Sequence, residues 1–250
     1  PDHDLDGIQL PEKCLFTFLG DVVHKYAKDN NAEVVEELIT VSHNIKIYVL
    51  HEKDDDICLV QSTIGAPAAA QIIDSLVFCG CRKVIAVGSC GVLAQIPENA
   101  FIVPVKALRD EGTSYHYLTA SRYIELDEEP IAVIERCFIA HDLPFVTCTT
   151  WTTDGFFRET KDMVKYRLEE GCSVVEMECA ALANGTHTAY LVFDKGKFVG
   201  VGGVSYFNVM PSSVFFFENL LNKYLENLIA AITTTISIIC SAVIIFNPHN

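Results

Sequence analysis

Positive charge is what this sequence most lacks. Eighteen Lys and Arg stand against 33 Asp and Glu, a formal net charge of −15 at pH 7 over 250 residues. Duplex nucleic acid and anionic membrane surfaces would repel such a chain at long range, so neither is expected as a partner, and room is left only for a local basic pocket. No repeat, low-complexity tract or Pro/Gly/Ser-rich linker divides the sequence. Its length lies within the range of one α/β domain with a sizeable core, so residues 1–250 are read as a single domain. Half the residues are apolar and a fifth charged, which excludes a disordered or fibrous chain.

Metal-binding spacing is also missing. The only closely spaced cysteines, Cys79 and Cys81, have no second Cys or His pair at zinc-site spacing, so no metal is expected. The ten cysteines mostly sit inside apolar runs such as Ile57-Cys58-Leu59-Val60, which suits reduced thiols packed as small core residues in a cytoplasmic protein. Asn184-Gly185-Thr186 is a formal glycosylation sequon, but no signal-peptide pattern opens the sequence. Charge is absent altogether from residues 228–246, a run long enough to span a membrane. Its Thr and Ser residues and β-branched content favour a packed terminal helix running into a tail, with a membrane anchor as the alternative.

Strand-like apolar runs recur at residues 45–50, 57–61, 83–87, 100–105, 145–149 and 197–201. Helical spacing over 68–78 and 130–141 precedes two of them, which predicts an α/β fold with helices packed on a sheet. In such folds ligands gather where strands end in turns rich in small residues. Three stretches read as such turns: Ser62-Thr63-Ile64-Gly65-Ala66-Pro67, Val87-Gly88-Ser89-Cys90-Gly91, and residues 149–154 around Trp151, the only tryptophan. One further stretch needs explaining. VVEMECAAL (residues 174–182) sets Glu176 and Glu178 inside an apolar segment, where an unpartnered carboxylate is costly. A helix N-terminus interacting with both acids would account for them without any ligand.

Taken in order, STIGAPAAA (62–70), VGSCGVL (87–93), RDEGTSYHY (109–117), TTWTTDGFF (149–157) and VVEMECAAL resemble segments of the nucleoside phosphorylase superfamily, nearest its uridine phosphorylase branch. The resemblance implies a three-layer fold with a central mixed β-sheet flanked by helices. It implies cleavage of a nucleoside's N-glycosidic bond with phosphate as co-substrate, in a homo-oligomer (dimer or hexamer), without organic cofactor or metal. By the same resemblance Met177 and Glu178 hold the ribose beside Thr63, and Glu178 is the catalytic carboxylate. Gly20, His24, Gly88 and Ser89 contact phosphate, and Trp151, Phe156 and Tyr206 face the base. Glu176 is read as support for the turn.

Four departures stand beside these matches. Ala86 occupies the first position of the family's Arg-x-Gly-Ser/Thr loop. Gly20-Asp21-Val22-Val23-His24 replaces Gly-Asp-Pro-x-Arg, and Ser42-His43-Asn44 stands where another arginine is usual. Arg109 and Arg158 are the candidates to replace that charge, with a surface ion pair to Glu159 or Asp162 as the alternative for Arg158. Tyr206 stands where purine-cleaving relatives carry an acidic Asp, and an ordinary tyrosine is a poor proton donor at neutral pH. Two alternatives therefore accompany phosphorolysis: a hydrolytic nucleosidase, and a non-catalytic nucleoside-binding relative.

Overall fold

The computed structural model describes residues 5, 7–51, 56–97, 100–140 and 142–183. The expected strand at 197–201, Tyr206, the sequon at Asn184 and the apolar run at 228–246 lie outside the described residues. The α/β layering is as expected, but the strands divide between two mixed five-stranded sheets. The first contains β1 (Lys13–Thr17), β2 (Glu33–Ile39), β3 (Asn44–His51), β4 (Asp56–Gln61) and β5 (Lys83–Val87), in the order β2-β3-β4-β1-β5. The second contains β6 (Gly91–Val92), β7 (Phe101–Asp110), β8 (Tyr123–Glu125), β9 (Phe145–Thr153) and β10 (Cys172–Glu176), in the order β6-β10-β9-β7-β8. Strands β4, β1 and β5 run parallel, as do β7, β9 and β10. Their carboxyl ends therefore gather the loops.

Helices α1 (Asp21–Asp29), α2 (Ala66–Phe78), α3 (Glu128–Ala140), α4 (Lys161–Glu169) and α5 (Cys179–Leu182), with a short 3-10 turn at Thr113–His116, complete the described elements. The central strands of the first sheet are buried on both faces, so successive residues pack into different cores. Cys14, Phe16, Cys58 and Val60 join Ala69, Ile72, Ile73 and Leu76 of α2 in one core. Leu15, Leu59 and Ile85 face the other, together with Val103 and Ala107 of β7 and Cys179 and Ala180 of α5. This second core is the seam between the two halves of the structure. Each fully buried aliphatic side chain in it stabilises the fold by roughly 1.5–3 kcal/mol.

Local chemistry sets the boundaries. Helix α2 begins with Pro67 in its first turn after Gly65 at φ 104, and ends at Phe78, two residues before Gly80, whose φ of +120 a side chain would strain. The stretch 149–154 was expected to be a turn. It is instead the second half of β9, which runs to Thr153, because a run of Thr and Trp suits a pleated, buried strand. The turn starts at Asp154. VVEMECAAL is a strand-to-helix junction: β10 ends at Glu176, and Glu178 is the residue before α5.

No helix among the described residues is long and apolar enough to cross a membrane. No disulfide joins any of the nine cysteines among the described residues.

Candidate active site

Three loops leave the carboxyl ends of neighbouring strands β4, β1 and β5. Backbone hydrogen bonds hold them side by side: Ser62 N–H donates to Thr17 O at 2.7 Å, and Phe18 N–H to Val87 O at 2.8 Å. The Leu19 N–H reaches the side-chain oxygen of Gln61 at 3.0 Å. Thr63, Gly20, Gly88 and Ser89 thus share one edge of the sheet, and Gly20, Gly88 and Ser89 are exposed there. A Cβ on Gly88 would lie 3.1 Å from the Cβ of Phe18, so this loop runs close against the one after β1.

Glu178 crosses to this edge from the other half of the structure. Its Oε1 accepts from the Gly65 N–H at 2.6 Å, and the residue is 9% exposed. Burial pushes its carboxyl up to about 7; the Gly65 N–H pulls the other way, and the nearby Glu176 charge adds to the rise. Two residues before Gly65, the Thr63 hydroxyl is buried without a hydrogen-bond partner. A buried, unpaired hydroxyl costs about 1–3 kcal/mol unless something supplies its partner. Met177, partly exposed, lies between the two acids.

Glu176 does different work. Its Oε1 accepts from the hydroxyls of Thr150 (3.1 Å) and Thr152 (2.6 Å), and its Oε2 from the N–H groups of Glu178 (2.7 Å) and Cys179 (2.6 Å). Burial raises its carboxyl above the ordinary range, and these four donors oppose the rise. The same Thr152 oxygen accepts from Ala180 N–H at 2.9 Å. Glu176 therefore clamps β9, β10 and the start of α5, and this fixes the direction in which Glu178 leaves the junction. The N-terminal carboxylate expected of a helix is thus Glu176 alone, since the Glu178 side chain makes no capping bond.

Trp151 is turned the other way. Strand side chains alternate, and Thr150 and Thr152 take the Glu176 face of β9. Trp151 is 1% exposed, donates its Nε1–H to Asp110 at 2.9 Å, and lies 5.1 Å from the Arg167 guanidinium. Its neighbours are Leu108, Cys172 and Val175. The expectation that Trp151 faces a base is not met here, because ring and donor are both engaged inside the chain. Phe156 differs: it is 55% exposed in the turn after β9, its ring centroid 4.0 Å from that of Phe157.

No arginine gathers at the loop edge among the described residues. Arg109 is buried near the end of β7 and donates into the segment that follows, to the Ser114 hydroxyl (2.8 Å), the Thr119 carbonyl (2.8 Å) and the Ser121 hydroxyl (2.9 Å). Ser114 passes the contact on to the Glu111 carboxylate. Arg158 is exposed, in the turn after β9. His24, exposed on α1, meets the Tyr48 hydroxyl through Nδ1 at 2.9 Å. The Gly65 N–H is the site group that residue types alone left unassigned; its signal is a glycine directly before an Ala-Pro helix start.

A profile of the Phosphorylase superfamily matches residues 13–191. A guanosine phosphorylase from Halorubrum lacusprofundi is 23% identical over 147 residues, covering 58% of this chain and 61% of that protein. The crystal structure of a uridine phosphorylase from Vibrio fischeri ES114 is similar with a TM-score of 0.62 at 22% identity, covering 92% of each chain. An AMP nucleosidase from Bacteroides thetaiotaomicron VPI-5482 is similar with a TM-score of 0.59 at 24% identity, covering 72% of this chain and 73% of the other.

Proposed function

The chain belongs to the phosphorylase superfamily, and from that premise we propose that it cleaves the N-glycosidic bond of a nucleoside, with phosphate as acceptor and a uridine-type base favoured. The observation that carries this reading is the Glu178 carboxylate, held on the Gly65 N–H two residues after Thr63, whose buried hydroxyl has no partner. Glycosidic cleavage passes through an oxocarbenium-like state, and an ionised carboxylate beside the sugar favours the developing positive charge. Glu178 accepts from ribose hydroxyls, Thr63 completes its hydrogen bonding on the same ligand, and Met177 lies against the apolar side of the sugar. Gly20, Gly88 and Ser89 offer backbone and hydroxyl donors to phosphate, with His24 at the neighbouring helix. Phe156 supplies an aromatic surface for the base. Subunits assemble as a homo-oligomer, which sedimentation would reveal.

Hydrolysis is the second reading. Ala86 and His24 stand where arginine forks would hold phosphate, and water needs no such clamp. Incubating the protein with pyrimidine and purine nucleosides, with and without phosphate, separates the readings. Base and sugar phosphate released only with phosphate support phosphorolysis. Base released equally without it supports hydrolysis, and no release in either condition supports a binding protein.

A further inference from the structure

At the opposite, amino-terminal end of the same parallel strands, three thiols meet. Cys14 and Cys58 are register partners on adjacent strands β1 and β4, so their side chains leave the same face side by side. Cys81 arrives from the turn after α2, just before β5 pairs with β1 through Lys83 and Lys13. The three sulfurs lie within 4.8 Å of one another, and all three residues are 0% exposed. Leu10 N–H bonds the Cys79 carbonyl at 2.7 Å, and Leu10 packs into the same core, so the N-terminal segment covers this turn. The spacing of Cys79 and Cys81 argued against a metal because it counted only neighbours in sequence. Sheet register supplies the other two ligands.

We propose that Cys14, Cys58 and Cys81 form a three-sulfur site for a soft, thiophilic ion, of the chemistry shared by Cu(I) and trivalent arsenic. Thiolates select soft ions. Three sulfurs around one ion at about 2.3 Å stand roughly 4 Å apart, so the triangle closes on an ion with little movement. Charge narrows the choice further. The surroundings are apolar, including Phe16, Ile47, Val60 and Leu76, and a buried net charge there is costly. Arsenous acid reacts with three thiols to give a neutral trithiolate and three waters: three S–H protons leave with three hydroxides, and no electron is transferred. Cu(I) can bind with one sulfur still protonated, which limits the complex to a single negative charge. Zinc prefers four ligands, and among the described residues no further Cys, His or carboxylate joins the group.

The test does not depend on nucleoside cleavage. Reduced, oxygen-free protein is titrated separately with Cu(I), arsenite and Zn(II), and X-ray absorption counts the sulfur neighbours of the bound ion. The expected result is one Cu(I) or one arsenic per chain with three sulfur neighbours, a raised unfolding temperature, and weaker Zn(II) binding. The two arms decide which ion is preferred. Cys14→Ser, Cys58→Ser and Cys81→Ser should each weaken binding by more than about tenfold, while Cys148→Ser leaves it unchanged. No 1:1 binding by the wild-type chain, a count of two or four sulfurs, or folded variants that bind as tightly as wild type would each overturn the proposal.

Discussion

At the carboxyl edge of the second sheet the polar atoms are almost all engaged within the chain, whereas the same edge of the first sheet leaves a buried hydroxyl without a partner and backbone exposed. On the second, Asp110 holds both Trp151 and Arg167, Arg167 also meets Glu170, and Glu170 accepts from Nε and Nη2 of Arg122. Glu176 has four donors, and among the described residues Arg167 Nε is the one buried side-chain polar atom on this edge that lacks a partner. On the first, Thr63 is unpartnered, and Gly20, Gly88 and Ser89 are exposed. The difference separates groups that hold the fold from groups available to a ligand. Glu178, anchored in one half and bonded to the other, joins the two edges.

The contrast can be broken most severely at Glu176. Glu176→Ala should leave two hydroxyls and two N–H groups unsatisfied and destabilise the protein by roughly 3–5 kcal/mol, read as a lower midpoint of urea unfolding. An unchanged midpoint would mean that the second edge is not held as described.

Glu178→Gln should move stability the opposite way. The wild-type carboxyl titrates near 7 in the folded chain against an ordinary 4.5. Between those values the unfolded chain has lost its proton and the folded chain keeps it, so stability falls as pH rises through this window. Above pH 7 the ionised group costs about 3 kcal/mol. The glutamine variant should therefore unfold at higher temperature than wild type at pH 8, and the advantage should vanish near pH 4.5. Its nucleoside turnover, if the proposed function holds, should be lost. In the wild-type enzyme turnover should rise with pH through about 7, as Glu178 ionises.

Trp151→Phe keeps the ring in its core and removes the donor to Asp110. It should cost about 1–2 kcal/mol of stability and leave the KM for a nucleoside within about twofold. A large rise in KM with unchanged stability would show that Trp151 does reach a ligand. At the open edge, Thr63→Val removes a buried hydroxyl that has no partner, so it should raise the stability of the unliganded protein by about 1 kcal/mol or more. Nucleoside KM should nevertheless rise. Urea unfolding without ligand would register the first half of that expectation, and nucleoside-dependent turnover the second.

Much of the layering was legible in the sequence. Residues 83–87 form β5 with the expected bounds, and residues 45–50 and 57–61 lie within β3 and β4. These are short apolar runs of β-branched residues, whose preference is local. The short strands β6 and β8 carry too few residues for a pattern. Residues 149–153 were misread because hydroxyl-rich sequence suits a turn as well as a strand, and the face of Trp151 depends on that choice. The separation of Glu176 from Glu178 was legible in outline; its cause, two threonines across β9, was not.

By itself the sequence determined β3, β4 and β5, the first parts of β7 and β9, helices α2 and α3, the small residues at strand ends and the family, because these depend on residue type and short spacing. Only the tertiary structure decided which way each side chain faces and which distant groups meet: Glu178 with Gly65, Glu176 with Thr150 and Thr152, Trp151 with Asp110, and three cysteines from three segments. Those meetings depend on strand order and register, which arise when whole sheets bury their faces together. No local pattern encodes the register of one strand against another far away in the chain.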